Sequence, residues 1–295
     1  MVALPDEATI VEIKMKVDHN RQKKIAIIND FSGFGRCSIS VALPIISVMG
    51  VQGVSLPTAV FSNHTGFDSY FFDDYTKNMR AYIDEWRKLD LQFSGICTGF
   101  LGSKDQIDIV TEFFDEFKTE DNIIVIDPVM GDYGKTYDTY TPEMCERMKD
   151  LVKYADILSP NLTEACILTE TPYKERWKIK ELFALADKLV ALGPQKIVIT
   201  GIPQGSFVSN LCFAVGKEHR FIKTHRVGES RSGTGDIFAA ILAADAVNGL
   251  DFLESVKKAS RFIKKCINRS IEMGIPLTDG VAFEEVLYTL RDKKK

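Results

Sequence analysis

The chain reads as an α/β protein with a mainly parallel central sheet, helices on its faces and a late antiparallel hairpin. Three observations carry that expectation. Short apolar runs such as KKIAIIND, NIIVIDPV and KIVITG lack the alternation of a half-exposed strand, as strands covered on both faces do. Stretches of helical spacing separate these runs for most of the chain, the rhythm of strand–helix–strand units. Late in the chain that rhythm breaks, and two strand-like runs lie around Gly216-Lys217, close enough to pair as a hairpin.

Each element can be justified in order. Residues 1–22 mix acids and bases without an apolar centre and read as an extension, with residues 23–295 as one domain. KKIAIIND is the first strand. FSGFGRCSIS follows as a Gly-containing loop, then an apolar helix to about Gly50, in which Pro44 disfavours a straight course. VQGVSLPTAV is the second strand and FSNHTGF a polar loop after it. Residues 73–89 have helical spacing. FSGICTGF is a strand, SKDQIDIVTEFFDEFK a helix with Ser103 as cap, and NIIVIDPV the clearest central strand. TPEMCERMKDLVKYA opens with Thr then Pro, a favourable helix start. DILSP is a short strand, NLTEACILTE a short helix, and IKELFALADKLVALG an amphipathic helix stopped by Gly193-Pro194. Strand KIVITG leads into SFVSNLCFAVG and EHRFIKTHRV, the hairpin. Helices at about 235–248, 251–273 and 282–291 close the chain.

Bulk properties narrow the function. With 295 residues, 45% hydrophobic and 26% charged, the chain has ample material for a core. A formal net charge of −4 supplies no basic field for nucleic acid. The six cysteines form no Cys-x-x-Cys pair, so they read as reduced thiols in a cytosolic protein, with no zinc site. Cys37, beside the Gly-rich loop, reads as a small buried thiol. Residues 37–67 carry no Asp, Glu, Lys or Arg, but Pro44, Gly50, Gly53, Pro57 and Asn63 interrupt them, and a membrane span needs about 20 apolar residues in a row.

In open α/β sheets, ligands bind beyond the carboxyl ends of the strands. The polar and Gly-rich segments fall there: Asp30–Gly35, Ser62–Thr65, Asp127–Asp132, Ser159–Glu164, Thr200-Gly201 and Gly233–Asp236. SGTGD opens a helix, whose first N–H groups attract anions and whose glycines let a phosphate approach. An acid beside an anion site is awkward if phosphate is merely held. It makes sense if phosphate is transferred and Asp236 takes the proton of the attacking hydroxyl. A capped helix start explains the same residues without chemistry. In SPNLTEA, Asn161 and Glu164 fit either a capping box or a magnesium site near phosphates. Asp127 fits a strand-end turn as well as a site.

In FSNHTGF, DPVMGD, SPNLTEA, IVITG and SGTGDIFAA the chain resembles pyridoxal kinases of the ribokinase-like superfamily, from about Lys24 to Phe283. SNHTG is the specific part and points to the vitamin B6 branch. The resemblance implies a ribokinase-like fold and ATP-dependent phosphorylation of the 5′-hydroxyl of pyridoxal, pyridoxine or pyridoxamine. It implies Asp236 as general base, and Gly233, Thr234 and Gly235 as the anion hole. Asp132 and Glu164 would organise magnesium, with Asp127 and Asn161 close to the phosphates. Thr200 and Gly201 would line the ATP side, and Ser62, His64 and Thr65 would face the pyridine ring. Relatives are usually dimers and often depend on a monovalent cation, so a homodimer is expected. One departure stands out. Many pyridoxal kinases carry Gln-Ser-His after the first strand, where this chain has Asn29-Asp30-Phe31. Asp30 in the serine's place would bring a carboxylate to the ring and bear on vitamer choice.

Three rival readings belong beside this one. A hydroxymethylpyrimidine kinase would act on a similar flat heteroaromatic alcohol, although some enzymes of that branch carry cysteine where Asp236 stands. A non-catalytic B6- or nucleotide-binding protein would have lost the base or the metal acids. A sugar kinase would need a lid of extra strands, for which there is no room between Gly50 and Asp73.

Overall fold

A computed structural model describes residues 17–291. Its elements run β1 (Lys24–Phe34), α1 (Ile39–Val48), β2 (Gln52–Asn63), β3 (Phe72–Asp74), α2 (Thr76–Lys88), β4 (Gly95–Thr98) and α3 (Lys104–Phe117). Then come β5 (Ile123–Ile126), β6 (Gly131–Asp132), β7 (Lys135–Thr136), α4 (Pro142–Val152), β8 (Ile157–Leu158), α5 (Leu162–Leu168) and α6 (Ile179–Val190). The last are β9 (Lys196–Gln204), β10 (Phe207–Ala214), β11 (Arg220–His225), α7 (Thr234–Val247) and α8 (Phe252–Glu272). Among the described residues nine strands form one sheet in the order β11-β10-β9-β8-β5-β4-β1-β2-β3. The six strands from β9 to β2 are mutually parallel, while β10, β11 and β3 add antiparallel edges. The α/β expectation, with its late hairpin, is met.

Alternation within each strand decides which helices cover which face. Ile25, Ile27, Cys97, Val125, Ile157 and Val198 point to one face and pack with α1, α7 and α8. Ala26, Ile28, Ile96, Ile124, Ile126 and Leu158 point to the other and pack with α2 to α6. Most of these side chains are wholly buried, which explains the unbroken apolar runs. Each buried Ile or Leu contributes about 1.5–3 kcal/mol. α7 is apolar all round because it lies between α1, α8 and the sheet.

Several boundaries differ from the sequence expectation. β1 does not end at Asp30 but runs to Phe34, so FSGFGRCSIS begins as strand before it becomes loop. β2 likewise runs through Phe61-Ser62-Asn63. Those two extensions pair with each other after a register shift between Asn29 and Phe31. Where the sequence leaves no room for a lid, β2 turns back into the three-residue β3. β6 and β7 form a two-stranded hairpin too short to leave a periodic signal. Residues 282–291 hold turns and a 3-10 segment, Leu287–Leu290, rather than an α-helix. Val281, Ala282, Phe283 and Leu290 are buried there by packing, not by helical spacing. Of the N-terminal extension, residues 1–16 lie outside the described residues, and residues 17–22 form no strand or helix. No helix among the described residues is long and apolar enough to cross a membrane. The six cysteines are all free and buried, and burial pushes the Cys37 thiol up to about 12.

Candidate active site

Register brings the polar strand ends into one row. Ile28, Thr98, Ile126 and Leu158 are cross-strand partners along β1, β4, β5 and β8. The residues one step further, Asn29, Gly99, Asp127 and Ser159, therefore line the same carboxyl edge. Asn161 and Thr200 continue it through an isolated parallel bridge. The N-terminus of α7 faces this row.

Gly233 caps α7 in the left-handed region, φ 79°, which an L side chain adopts at a cost. It also has no room for a Cβ, which would fall 1.9 Å from the Arg36 carbonyl oxygen. Glycine is thus required twice, by conformation and by close approach. Thr234 and Gly235 follow with their N–H groups in the first turn, where no intrahelical acceptor exists. A Cβ at Gly235 would lie 3.5 Å from Asp127 Oδ2, so this turn stands against the β5 end.

Asp236 is held on two sides. The Asn29 side-chain amide donates to its Oδ1 at 2.9 Å, and the Ser38 backbone N–H also donates to it. Burial raises its carboxyl above the usual range, and these two donors oppose the rise. Asn29 is itself fixed, because its Oδ1 accepts from the Phe100 N–H at 2.8 Å and the Asp30 N–H at 2.9 Å. Sequence reasoning passed over Asn29 and Ser38 as partners of Asp236, since neither sits in a phosphate motif.

The acids on the other side form a shared field. Asp127 is pushed up to about 8 by burial, with the Asp236 charge adding to the rise. Glu164 is raised by burial and by Asp127. Burial raises Asp132, opposed by the Tyr133 N–H. Asn161 and Glu164 form a capping box at α5, the Asn161 N–H donating to Glu164 Oε2 at 2.8 Å. Glu164 Oε1 also accepts from the Met130 N–H, and Asn161 Nδ2 donates to the Gly131 carbonyl at 2.8 Å. The pair therefore pins the Met130–Asp132 loop as well as capping a helix. Among the described residues no three His, Cys, Asp or Glu side chains stand close enough to hold a metal ion by themselves.

Thr200 donates its N–H to the Pro160 carbonyl at 2.8 Å, and Gly201, φ 71°, has open space around it. Ser62 uses its hydroxyl in the β2–β3 turn, donating to Asn63 Oδ1 and accepting from the Phe71 N–H. Thr65 is exposed. His64 accepts the Gly66 N–H at Nδ1, so its proton sits on Nε2 and donates to the Thr278 carbonyl at 2.7 Å. The ring lies against Gly35, where a Cβ would meet His64 Cδ2 at 2.2 Å. Both ring nitrogens are thus engaged within the protein.

Asp30 does not stand where the sequence comparison put it. Its Oδ1 accepts from Ser38 Oγ at 2.5 Å and its Oδ2 from Ser32 Oγ at 2.9 Å. It is 5% exposed, so it faces the start of α1 rather than an open ring site. It lies at the register shift between β1 and β2, where β2 carries the extra residue opposite it.

Two arginines tie the site together. Arg231, buried just before the α7 turn, donates to the carbonyls of Ile275, Pro276 and Gly280. Arg36 donates to the Asp279 carbonyl at 3.1 Å and pairs with Glu284. With His64 on Thr278, three separate loops grip the strap of residues 275–280.

Comparisons with known proteins bear on this geometry. A family model described as phosphomethylpyrimidine kinase matches residues 39–279. A Bacteroides thetaiotaomicron protein with the provisional name phosphomethylpyrimidine kinase is 36% identical, and its rhombohedral form superposes with a TM-score of 0.91 over 95% of this chain and 97% of that one. Its orthorhombic form, solved with pyridoxal, gives a TM-score of 0.89 over 93% and 98%. Hydroxymethylpyrimidine/phosphomethylpyrimidine kinase of Aquifex aeolicus is 25% identical, with 76% of this chain and 86% of that one covered. Pyridoxal kinase of Ovis aries is 28% identical, with 68% and 69% covered.

Proposed function

The chain belongs to the phosphomethylpyrimidine kinase family, of ribokinase-like fold, and from that membership we propose that it moves the γ-phosphoryl group of ATP to the 5′-hydroxyl of a vitamin B6 vitamer. The observation that carries the chemistry is the placement of Asp236. A half-buried carboxylate with a raised pKa, fixed by two donors at the edge of a helix turn with free N–H groups, is suited to accept a hydroxyl proton. The vitamer reading is supported by SNHTG at residues 62–66 and by the pyridoxal in the 36%-identical relative.

In this mechanism the vitamer ring lies against His64, with Ser62 and Thr65 nearby, and its 5′-hydroxyl approaches Asp236. The hydroxyl oxygen attacks the γ-phosphorus as its proton passes to Asp236, and the bond to the β-phosphate oxygen breaks. The N–H groups of Gly233, Thr234 and Gly235 receive the negative oxygens of the moving group. Thr200 and Gly201 line the ATP side, with Asp127 and Asn161 by the phosphates. Burial makes the carboxyls of Asp127, Glu164 and Asp132 harder to ionise, with the charges of Asp127 and Asp132 adding to the rise at Glu164, and a cation beside them would offset that cost. Asp132 and Glu164 would hold magnesium through water, and the ion would spread the charge of the phosphates.

The second reading, phosphorylation of hydroxymethylpyrimidine or its phosphate, is favoured by the family description and the Aquifex relative. Asp236→Ala tests the chemistry common to both. Turnover should fall about 10²–10⁴-fold while nucleotide binding survives. Near-normal turnover in that variant contradicts the mechanism.

A further inference from the structure

We propose that Asp30 is a positioning residue for the catalytic base, acting through both groups that hold Asp236. The inference rests on the kinase reading above, because it concerns the same carboxylate. Asp30 reaches the two donors by two different bonds. Its N–H donates to Asn29 Oδ1 at 2.9 Å. With the Phe100 N–H on the same oxygen, this fixes the Asn29 amide so that Nδ2 faces Asp236. Its carboxylate accepts the Ser38 hydroxyl at 2.5 Å, and the Ser38 N–H serves Asp236.

Ser38 is the telling residue. It sits at φ 57°, ψ −139°, a backbone conformation that an L residue keeps only where its surroundings enforce it. As N-cap of α1 it makes no side-chain capping bond, and its hydroxyl donates to Asp30. The Asp30 carboxylate therefore holds Ser38 in the turn that aims its N–H at the base. Ser32 closes the other carboxylate oxygen, and Asp30 is left with no role at the solvent surface.

The charge of Asp30 has a second effect. The titratable groups that face it are Asp236 from α7 and Cys37 from the loop before α1, while Asp127 and His64 face Asp236 from further round. Asp30 and Asp236 repel, so each makes the other harder to ionise. Removing the Asp30 charge should ease ionisation of the base and move the acid limb of the rate profile to lower pH.

The test compares wild type, Asp30→Asn, Asp30→Ala and Asp236→Asn in steady-state phosphorylation from pH 5 to 9, with kcat and both KM values read separately. Asp30→Ala should lower kcat about tenfold or more and leave the KM for vitamer and for ATP within about twofold. Asp30→Asn keeps an oxygen for Ser38, so it should recover most of kcat and show an acid limb at lower pH than wild type. A raised vitamer KM with unchanged kcat in Asp30→Ala would make Asp30 a substrate contact and overturn the proposal. Unchanged kcat, or an acid limb in Asp30→Asn at its wild-type position, would overturn it too. If Asp30→Ala does not fold, Ser38→Ala cuts the same link: a fall in kcat alone supports the proposal and wild-type kinetics overturn it. Asp236→Asn separates the levels. If that variant turns over normally, the base assignment fails, whereas its inactivity beside a normal Asp30→Ala defeats only the role of Asp30.

Discussion

Gly233→Ala and Gly249→Ala together measure what the close approach at the α7 start is worth. The two glycines flank the same helix with nearly the same backbone, φ 79° and φ 81°. An added methyl at Gly249 meets nothing within 4 Å, whereas at Gly233 it falls 1.9 Å from the Arg36 carbonyl oxygen and 3.3 Å from Cys37 Cα. Alanine in the left-handed region costs about 1–2 kcal/mol, and that is the whole expectation for Gly249→Ala. At Gly233 the overlap exceeds 1 Å on backbone that cannot rotate aside, which adds roughly 1–3 kcal/mol of overpacking. At about 2 °C per kcal/mol for a chain of this size, Gly233→Ala should melt about 4–10 °C below wild type and Gly249→Ala about 2–4 °C below. The activity difference should be larger. The displacement moves the anion-binding turn and the Ser38 arm against Asp236, and a misplacement of about 1 Å can cost about 100-fold in rate. Calorimetry and steady-state kinetics on the two variants give both numbers. Equal melting points and equal kcat for the pair would refute the argument that Gly233 is demanded by its contact with the Arg36 loop.

Other outcomes follow from the same geometry. His64→Ala should raise the vitamer KM about two- to tenfold and leave the ATP KM nearly unchanged, as expected for a lost ring contact; an unchanged vitamer KM would remove His64 from the site. Asp30 is raised from its ordinary 3.8 to about 6, by burial first and by the Asp236 charge against its serine bonds. Between those values the folded protein keeps a proton that the unfolded chain gives up. This contribution to stability is therefore full below pH 4 and lost as pH rises to 6. At about 1.4 kcal/mol per unit, the unfolding free energy of wild type relative to Asp30→Asn should fall by about 3 kcal/mol from pH 4 to 7. Denaturant titrations across that window check it, and a flat difference would contradict it. Arg231→Ala loses three bonds to strap carbonyls and should cost about 3–5 kcal/mol, with Arg231→Lys recovering only part. A melting point equal to wild type for Arg231→Ala would show that the strap does not depend on it.

The sheet was legible because burial on both faces writes itself as unbroken apolar runs, and the strands of Ile123–Ile126 and Lys196 onward fell where they were expected. Strand ends were not. Ser32, Ser62 and Asn63 look like loop residues, yet the β1 and β2 extensions satisfy each other's backbone groups after the shift at Asp30. The segment 282–291 imitates a helix because Phe283 and Leu290 pack inward, although no helical ladder joins them. In the site, glycines and acids near strand ends announced themselves through motifs. Asn29, Ser38 and Arg231 did not, since their work depends on partners some 40 to 200 residues away in sequence. Asp30 shows the limit most clearly. Its position in the chain suggested a substrate contact, whereas both of its carboxylate oxygens accept from serines that lie two and eight residues further on.

The most direct measurement is phosphoryl transfer from ATP with magnesium to pyridoxal, pyridoxine, pyridoxamine and hydroxymethylpyrimidine in parallel, each product identified by mass. The account predicts a 5′-phosphate ester on at least one B6 vitamer, formed faster than any pyrimidine product and lost in Asp236→Ala. Turnover of the pyrimidine alone would contradict the vitamer assignment, and no turnover of any of the four would contradict the kinase reading of this site.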